Sequence, residues 1–287
     1  MKTALFSLPS PDMDFRHAVD YALQLGVDAI EPYPHAEFRT PSAEAAKRLA
    51  DYAGERNVGI CCFSMMGDLA ADDLRSEIRR LKDYADVAAA LGSRYFHHTL
   101  VPALSLTGRA GSYAATIRRA ADAAREVFDY AGERGVQCIY EDQGFVVNGV
   151  ERFGDFLGAL DRDAGVVADL GNTFFVDETP EAFTRRFLPA IRHVHVKDYL
   201  VKDSSWPHPG DGWYLSSGGN YLRGTVIGHG RVDMTRVFSI LNAGGYDGFY
   251  SMEFDGPEEA FRAQSQGLKN MRRFMDLAAG HSVPAPK

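Results

Sequence analysis

The feature that most constrains the fold is a repeated unit, in which an apolar strand-like run precedes an amphipathic helix-like run. The predicted strands are Thr3–Leu8, Val27–Pro32, Val58–Phe63, Arg94–His98, Val136–Glu141, Gly165–Asp169, Ile191–Lys197 and Phe249–Phe254. Eight such units in succession predict a (β/α)8 TIM barrel of the α/β class, spanning residues 1–287 as a single domain. A doubly wound sheet is the competing architecture. It would carry a glycine-rich turn after its first strand, whereas Pro9-Ser-Pro-Asp12 follows here.

One segment does not follow this strand–helix repeat. Residues 199–232, after the seventh predicted strand, lack clear periodicity and contain both tryptophans, Trp206 and Trp213. Loops of this length inside a compact domain are usually functional, and aromatic residues argue against disorder. We therefore expect an active-site loop with Trp213 as a substrate contact. Residues 278–287 are expected to form a frayed tail.

Charge and cysteine content narrow the possible partners. The net charge of −8, from 39 acidic and 31 basic residues, disfavours a nucleic-acid or anionic-membrane partner. No stretch approaches the length of a transmembrane helix. Cys61, Cys62 and Cys138 lie in apolar runs without metal-type spacing, which is typical of buried free thiols in a reducing compartment. We expect a cytoplasmic protein that acts on a small molecule.

Four successive predicted strands, the fifth to the eighth, carry ligand-type side chains at their carboxyl ends: Glu141, Asp169, His195 and Glu253. In a parallel barrel these ends meet at the mouth. Three carboxylates and one imidazole suit a hard divalent ion, Mn²⁺ first, with Mg²⁺, Co²⁺ or Zn²⁺ as alternatives. Each residue alone could cap a helix or form a rim salt bridge, but four consecutive strand ends favour one shared ion.

The run His193-Val-His-Val-Lys-Asp198 places His193, His195 and Lys197 on one face of a strand. His193 lies deeper and is interpreted as a core or supporting histidine. Lys197 could bind a substrate oxygen or form an ion pair with Asp198 or Glu253. Together with Asp198, it is a candidate determinant of which substrate is taken.

Two further residues at strand ends are candidate substrate contacts. His97 and His98 end the fourth predicted strand, so one of them should face the mouth, and His98 is the candidate. Glu31 near the end of the second predicted strand could anchor a substrate or bond to a neighbouring strand.

These residues resemble the sugar phosphate isomerase/epimerase superfamily, the xylose-isomerase-like barrels, over roughly residues 3 to 275. The motifs that carry the resemblance are Tyr140-Glu-Asp142, Ala168-Asp-Leu-Gly-Asn172, the run ending at Asp198, Gly228-His-Gly-Arg-Val-Asp233 and Ser251-Met-Glu253. The group includes ketose 3-epimerases, inosose dehydratases and 3-dehydroshikimate dehydratases. The resemblance implies that Glu141, Asp169, His195 and Glu253 bind one divalent ion, and that the protein is a homo-oligomer.

The resemblance also implies a reaction. We expect an isomerase or epimerase that acts on a ketose or related polyol through an enediolate, with Glu141 and Glu253 as base and acid. The alternative is a dehydratase or lyase acting on an inosose or a 3-dehydroshikimate-like ketone. Asn172 stands where ketose 3-epimerases place a histidine, and His229 where relatives often carry an acidic residue. Both are candidate substrate contacts.

Two readings from other classes stay open. A non-catalytic sugar-binding barrel would share the fold. A nuclease of the endonuclease IV type would need more metal ligands and a basic groove, which the acidic balance of this chain disfavours.

Overall fold

The computed structural model describes residues 1–102 and 112–281. Its α-helices are α1 Phe15–Leu25, α2 Ala43–Gly54, α3 Leu74–Ala90, α4 Tyr113–Gly132, α5 Val150–Leu160, α6 Pro180–Phe187, α7 Met234–Ala243 and α8 Ala260–Ala278. Side-chain caps explain where several of them begin. Asp14 accepts a hydrogen bond from the backbone of His17, and the predicted cap Ser42 accepts one from Ala45.

Within the described residues, nine parallel strands form one sheet: β1 Lys2–Leu5, β2 Ala29–Ile30, β3 Gly59–Ile60, β4 Phe63–Met65, β5 Tyr95–His98, β6 Gln137–Glu141, β7 Gly165–Asp169, β8 Ile191–Val196 and β12 Phe249–Met252. Their order is β3-β2-β1-β12-β8-β7-β6-β5-β4, so the two sheet edges are consecutive in the chain. The sheet is therefore a nearly closed barrel, and the predicted TIM-barrel fold is confirmed.

The third predicted strand is divided in two. β3 pairs with β2 and β4 pairs with β5, and the chain passes from one pairing to the other at Cys61 and Cys62. Both cysteines are free and fully buried, as predicted, and so is Cys138. Burial raises the pKa of Cys138 to about 12, which keeps this thiol protonated and unreactive at neutral pH.

The predicted active-site loop is largely ordered structure. It contains a three-stranded antiparallel sheet of β9 Asp198–Lys202, β10 Tyr214–Leu215 and β11 Tyr221–Thr225. Tyr199 and Leu222 pack with Phe175 in a small apolar cluster beneath this sheet. The expectation of one long irregular loop therefore holds only in part: residues 203–213 contain no helix or strand, while cross-strand contacts between residues far apart in sequence order the rest.

Asp177 fastens the tip of this small sheet to the barrel. Its carboxylate accepts hydrogen bonds from Ser216 Oγ at 2.6 Å, Ser217 Oγ at 3.1 Å and Asn220 Nδ2 at 2.8 Å. The Gly218 backbone N–H donates a fourth bond, at 2.6 Å. The segment is thus held at a fixed place beside the connection between β7 and α6.

The buried apolar side chains of the barrel lie on the two faces of its sheet. A large apolar cluster lies between the sheet and the helices, and a small one fills the barrel interior. Of the predicted frayed tail, residues 282–287 lie outside the described range, and α8 itself continues to Ala278. Across the described ranges, no helix combines the length and apolar character needed to cross a membrane.

Candidate metal centre

The four strand ends bring their ligand-type side chains together. One ligand atom from each of Glu141, Asp169, His195 and Glu253 lies within 4.8 Å of the other three. His195 Nδ1 lies 2.6 Å from Glu141 Oε1 and 3.5 Å from Glu253 Oε2. The first three side chains are buried and Glu253 is partly exposed. The structure thus assembles the predicted ligand set from β6, β7, β8 and the end of β12.

The burial and hydrogen bonding of the carboxylate oxygens in this cluster fit a divalent cation. The buried oxygens Asp169 Oδ2 and Glu253 Oε2 accept no hydrogen bond within the described part of the chain. Burial raises the pKa of Asp169 even though Lys197 lowers it, so negative charge here is costly despite the nearby ammonium. A hard divalent ion is the partner that such a donor set takes, and one ion at this point would satisfy both oxygens.

Glu31 orients the His195 ring. Its Oε1 lies 3.0 Å from His195 Nε2, so Nε2–H donates to this carboxylate and the opposite nitrogen, Nδ1, faces the cluster. Burial opposes protonation of the ring, but Glu31 and Glu141 together raise the pKa of His195 well above its usual range. The same negative charge favours a cation at Nδ1, which competes with that proton. Phe6 stacks on the other side of the ring, with centroids 4.9 Å apart.

Lys197 shares the carboxylates of the cluster. Its Nζ lies 2.9 Å from Asp169 Oδ2, outside hydrogen-bonding geometry, and donates to Glu253 Oε1 at 2.8 Å. Although burial opposes the charge, Asp169 and Glu253 raise the pKa of Lys197 well above its usual range. The ammonium is therefore charged and bridges the two carboxylates. An ion pair with Glu253 was one of the two expected roles.

A cavity of about 270 Å³ opens beside the cluster. Glu141 and Glu253 form its charged side. Its apolar side includes Phe6, Tyr33, Met65 and Met66. Pocket walls of this composition leave room for a compact substrate with one apolar face and several polar groups.

His97, rather than His98, faces this cavity. His98 is fully buried against the Tyr140 ring, and its Nδ1 donates to the Thr99 carbonyl at 3.0 Å. The expectation that His98 contacts substrate is therefore corrected. The register provides the reason, because His97 aligns with Ile139 of the barrel interior and His98 lies on the other face of the strand. Burial lowers the pKa of His97 to about 4, so its ring is neutral at pH 7.

The burial of His98 leads to a prediction on stability. Burial lowers the pKa of its imidazole from 6.5 to about 4 in the folded chain. The unfolded chain therefore binds this proton first, and folding stability falls as the pH drops from 6.5 towards 4, by up to about 1.4 kcal/mol per pH unit. In His98→Gln, whose amide can still donate to Thr99, we expect a shallower decline of the urea unfolding free energy. Parallel declines would contradict this, and His208→Gln is the surface control.

Three other candidate substrate contacts lie away from the cavity. Glu31 is buried inside the barrel, and among the described residues its carboxylate bonds to side chains of β4, β8 and β12, so it supports the site from below. Trp213 packs between Lys202 and Arg223 on the outer sheet, about 5.1 Å from each. His229 is exposed beside α8, in a different surface depression.

Asn172 and Asp198 form hydrogen bonds within the protein. The Asn172 backbone N–H donates to Asp169 Oδ1 at 2.9 Å, and its carbonyl accepts from Asn148. Its side-chain Nδ2 has no hydrogen-bond acceptor among the described residues. The Asp198 carboxylate is buried and accepts four backbone N–H groups, two of them from the turn at Gly228 and Gly230. Asp198 is therefore a turn anchor, which corrects its expected part in substrate choice.

Sequence reasoning missed Phe6, Ser64, Arg80 and His97 as parts of the site. Neither Ser64 nor Arg80 belongs to a motif: Ser64 bonds to Glu31, 33 residues earlier in the chain, and Arg80 is one of several arginines on α3. For His97 a signal existed: Phe96 is a bulky apolar residue that belongs in the layer beneath the helices. The strand alternation then turns His97 into the barrel and His98 out of it.

Comparison with known proteins gives a consistent picture. The family model for xylose isomerase-like TIM barrels matches residues 19–274. An inosose dehydratase from Yersinia enterocolitica is 26% identical over 169 residues, which are 57% of this chain and 55% of that protein. The chain thus spans about half the length of the curated relatives it matches.

Two solved structures share the fold along nearly the whole chain. D-psicose 3-epimerase with D-tagatose from Clostridium cellulolyticum H10 has a TM-score of 0.73 at 15% identity, covering 98% of this chain and 99% of that one. A xylose isomerase-like TIM barrel protein from Mycobacterium smegmatis in complex with magnesium has a TM-score of 0.70 at 17% identity, covering 94% and 90%.

Proposed function

Because the chain belongs to the xylose isomerase-like TIM barrel family, we propose that it is a divalent-metal-dependent dehydratase of an inosose or a closely related keto-polyol. The observation that carries this proposal is the cluster of Glu141, Asp169, His195 and Glu253 beside a compact cavity. The sequence alone favoured an isomerase or epimerase. The relatives named inosose dehydratase support the dehydratase alternative better, and the epimerase becomes the second candidate.

Two carboxylates on one cavity wall suit removal of a proton next to a ketone. A divalent ion held by the four ligands would supply positive charge that stabilises negative charge on the ketone oxygen. Glu141 and Glu253 line the cavity: one would take the proton from carbon, and this proton would reach the departing β-hydroxyl through the second carboxylate, so that it leaves as water. Loss of that hydroxyl as water separates a dehydratase from an epimerase, in which the proton returns to carbon.

The charge of the cavity supports a neutral substrate. Among its described lining residues, the one arginine or lysine is Arg80. The guanidinium donates to Glu77 at 2.7 and 2.8 Å and to the Met66 carbonyl at 2.6 Å, so its charge is already compensated. A substrate carboxylate or phosphate would therefore gain little binding energy from Arg80. This favours an inosose over a 3-dehydroshikimate-like acid.

The apolar wall supports the same class. Phe6 and Tyr33 present aromatic surface to the same cavity that the carboxylates line. A six-membered polyol ring can place its C–H face on such a wall and its oxygens towards the charged side.

The test is incubation of the protein with Mn²⁺, Mg²⁺, Co²⁺ or Zn²⁺ and a panel of inososes, ketoses and keto-acids in D₂O, followed by NMR. We expect loss of water from an inosose and no turnover of keto-acids. Deuterium in an otherwise unchanged ketose would instead establish the epimerase. Saturable binding without any exchange would identify a non-catalytic sugar-binding barrel, and cleavage of abasic DNA in a parallel assay would identify a nuclease.

A further inference from the structure

A buried hydrogen-bond network runs from the barrel interior to the cavity, and Glu31 is its acceptor. The carboxylate accepts from His193 Nε2 at 2.7 Å, His195 Nε2 at 3.0 Å and Ser251 Oγ at 2.5 Å, and also from Ser64 Oγ. Four N–H and O–H groups converge on its two oxygens, so the carboxylate is the acceptor in each of these bonds.

The bond from Ser64 determines which nitrogen of His97 carries its proton. A serine hydroxyl has a single proton, and that of Ser64 is committed to Glu31. The 3.1 Å contact between Ser64 Oγ and His97 Nδ1 must therefore be donated by the ring. A neutral imidazole with its proton on Nδ1 has a free lone pair on Nε2.

That lone pair faces the cavity with no donor. His97 Nε2 is buried and has no hydrogen-bond partner within the described ranges. It lies 3.7 Å from Glu141 Oε2, and both side chains line the cavity. Two acceptors at this distance cannot bond to each other. A group that carries a proton can bond to both or to either.

We infer that His97 is a specificity-determining residue whose Nε2 accepts a hydrogen bond from a ring hydroxyl of the substrate, next to the carbon on which Glu141 acts. This inference rests on the proposed function and extends it to a particular hydroxyl. A carboxylate or phosphate oxygen at this place would bring a third acceptor and be repelled, whereas a polyol brings the missing proton. His97 thus favours a neutral substrate, and so does Arg80, whose charge is already compensated by Glu77.

Two substitutions separate this role from a structural one. Asn at position 97 can still donate to Ser64 but is too short to reach the cavity, whereas Gln can place an amide oxygen near the position of Nε2. With an inosose, we expect KM to rise about 10- to 100-fold in His97→Asn with little change in kcat, and to recover at least partly in His97→Gln. Equal KM values for wild type and His97→Asn would overturn the inference.

Monodeoxy inososes identify the hydroxyl. The analogue that lacks the hydroxyl bound by His97 is expected to have nearly the same kcat/KM in wild type and in His97→Asn, because neither pair can form the bond. The other analogues should keep the full difference between the two proteins. If His97→Asn lowers kcat/KM by the same factor for every analogue, the residue acts through the structure alone and the inference is wrong.

A substrate-free measurement keeps the inference separate from the proposed function. Long-range ¹H–¹⁵N spectra, with the His97 signals assigned by their absence in His97→Asn, are expected to show the proton on Nδ1 and none on Nε2. In Ser64→Ala this preference should weaken. A proton on Nε2 of the wild-type ring would contradict the inference alone, while a wild type that transforms no inosose would contradict the proposed function alone.

Discussion

Replacing Glu141 with Gln is expected to lower kcat for an inosose by about 1000-fold or more. The substitution keeps the size of the side chain but removes a carboxylate that contacts His195 Nδ1 at 2.6 Å and lines the cavity. It therefore removes one of the two proton-transferring groups and weakens the charge that holds the cation. The measurement is the initial rate of water loss from the inosose, at saturating substrate and metal.

The matched control is Glu44→Gln, the same change on the exposed side of α2, where the carboxylate pairs with Arg48. This variant should have wild-type kcat. Restoring activity to Glu141→Gln with excess metal would show that only metal affinity was lost. A Glu141→Gln rate within tenfold of wild type at ordinary metal concentrations would remove Glu141 from the proposed reaction.

Asp198→Ala is expected to lower the free energy of unfolding by about 4 kcal/mol. The carboxylate accepts from the Gly228 and Gly230 N–H groups at 2.9 and 2.8 Å and from Tyr199 and Val232 at 3.0 and 3.1 Å. Alanine leaves these N–H groups without their acceptor, and each orphaned buried group costs about 1–3 kcal/mol before water or relaxation compensates. Urea denaturation at pH 7 measures the loss.

The control for this prediction is Asp203→Ala. Asp203 follows β9 at the surface, and its carboxylate accepts from Ser205 N–H at 2.8 Å. Loss of an exposed bond should change the free energy of unfolding by about 1 kcal/mol at most. If Asp198→Ala is equally mild, the turn is held by other contacts. The Asp198 carboxylate packs tightly against the turn, since a Cβ added at Gly230 would lie 2.2 Å from Asp198 Oδ1. This close packing argues for the larger effect of Asp198→Ala.

The sequence was sufficient for the barrel and for the four proposed ligands because both follow from local pattern. Glu141, Asp169 and His195 each lie at or one residue before the end of a strand, and Glu253 directly follows one. A parallel barrel brings such ends to one mouth whatever its loops do. The convergence of these four side chains therefore follows from the topology of the barrel.

The rest of the site depends on contacts between distant positions, which local pattern does not contain. Ser64 and Ser251 are ordinary serines until β4 and β12 bring them to Glu31. Asp198 resembled a substrate contact because three of the four N–H groups that it binds lie 30 to 34 residues further along the chain. The choice between His97 and His98 required the register of β5 against β6.

The most direct test of the central claim is the binding of a divalent cation to the stripped protein. Titration with Mn²⁺, followed by the EPR signal of the free ion, is expected to show one tight site per chain. Asp169→Asn, which keeps the shape of the side chain, should weaken it at least about 100-fold without changing the circular dichroism spectrum. Unchanged affinity in Asp169→Asn, or no stoichiometric binding of Mn²⁺, Mg²⁺, Co²⁺ or Zn²⁺, would contradict the account.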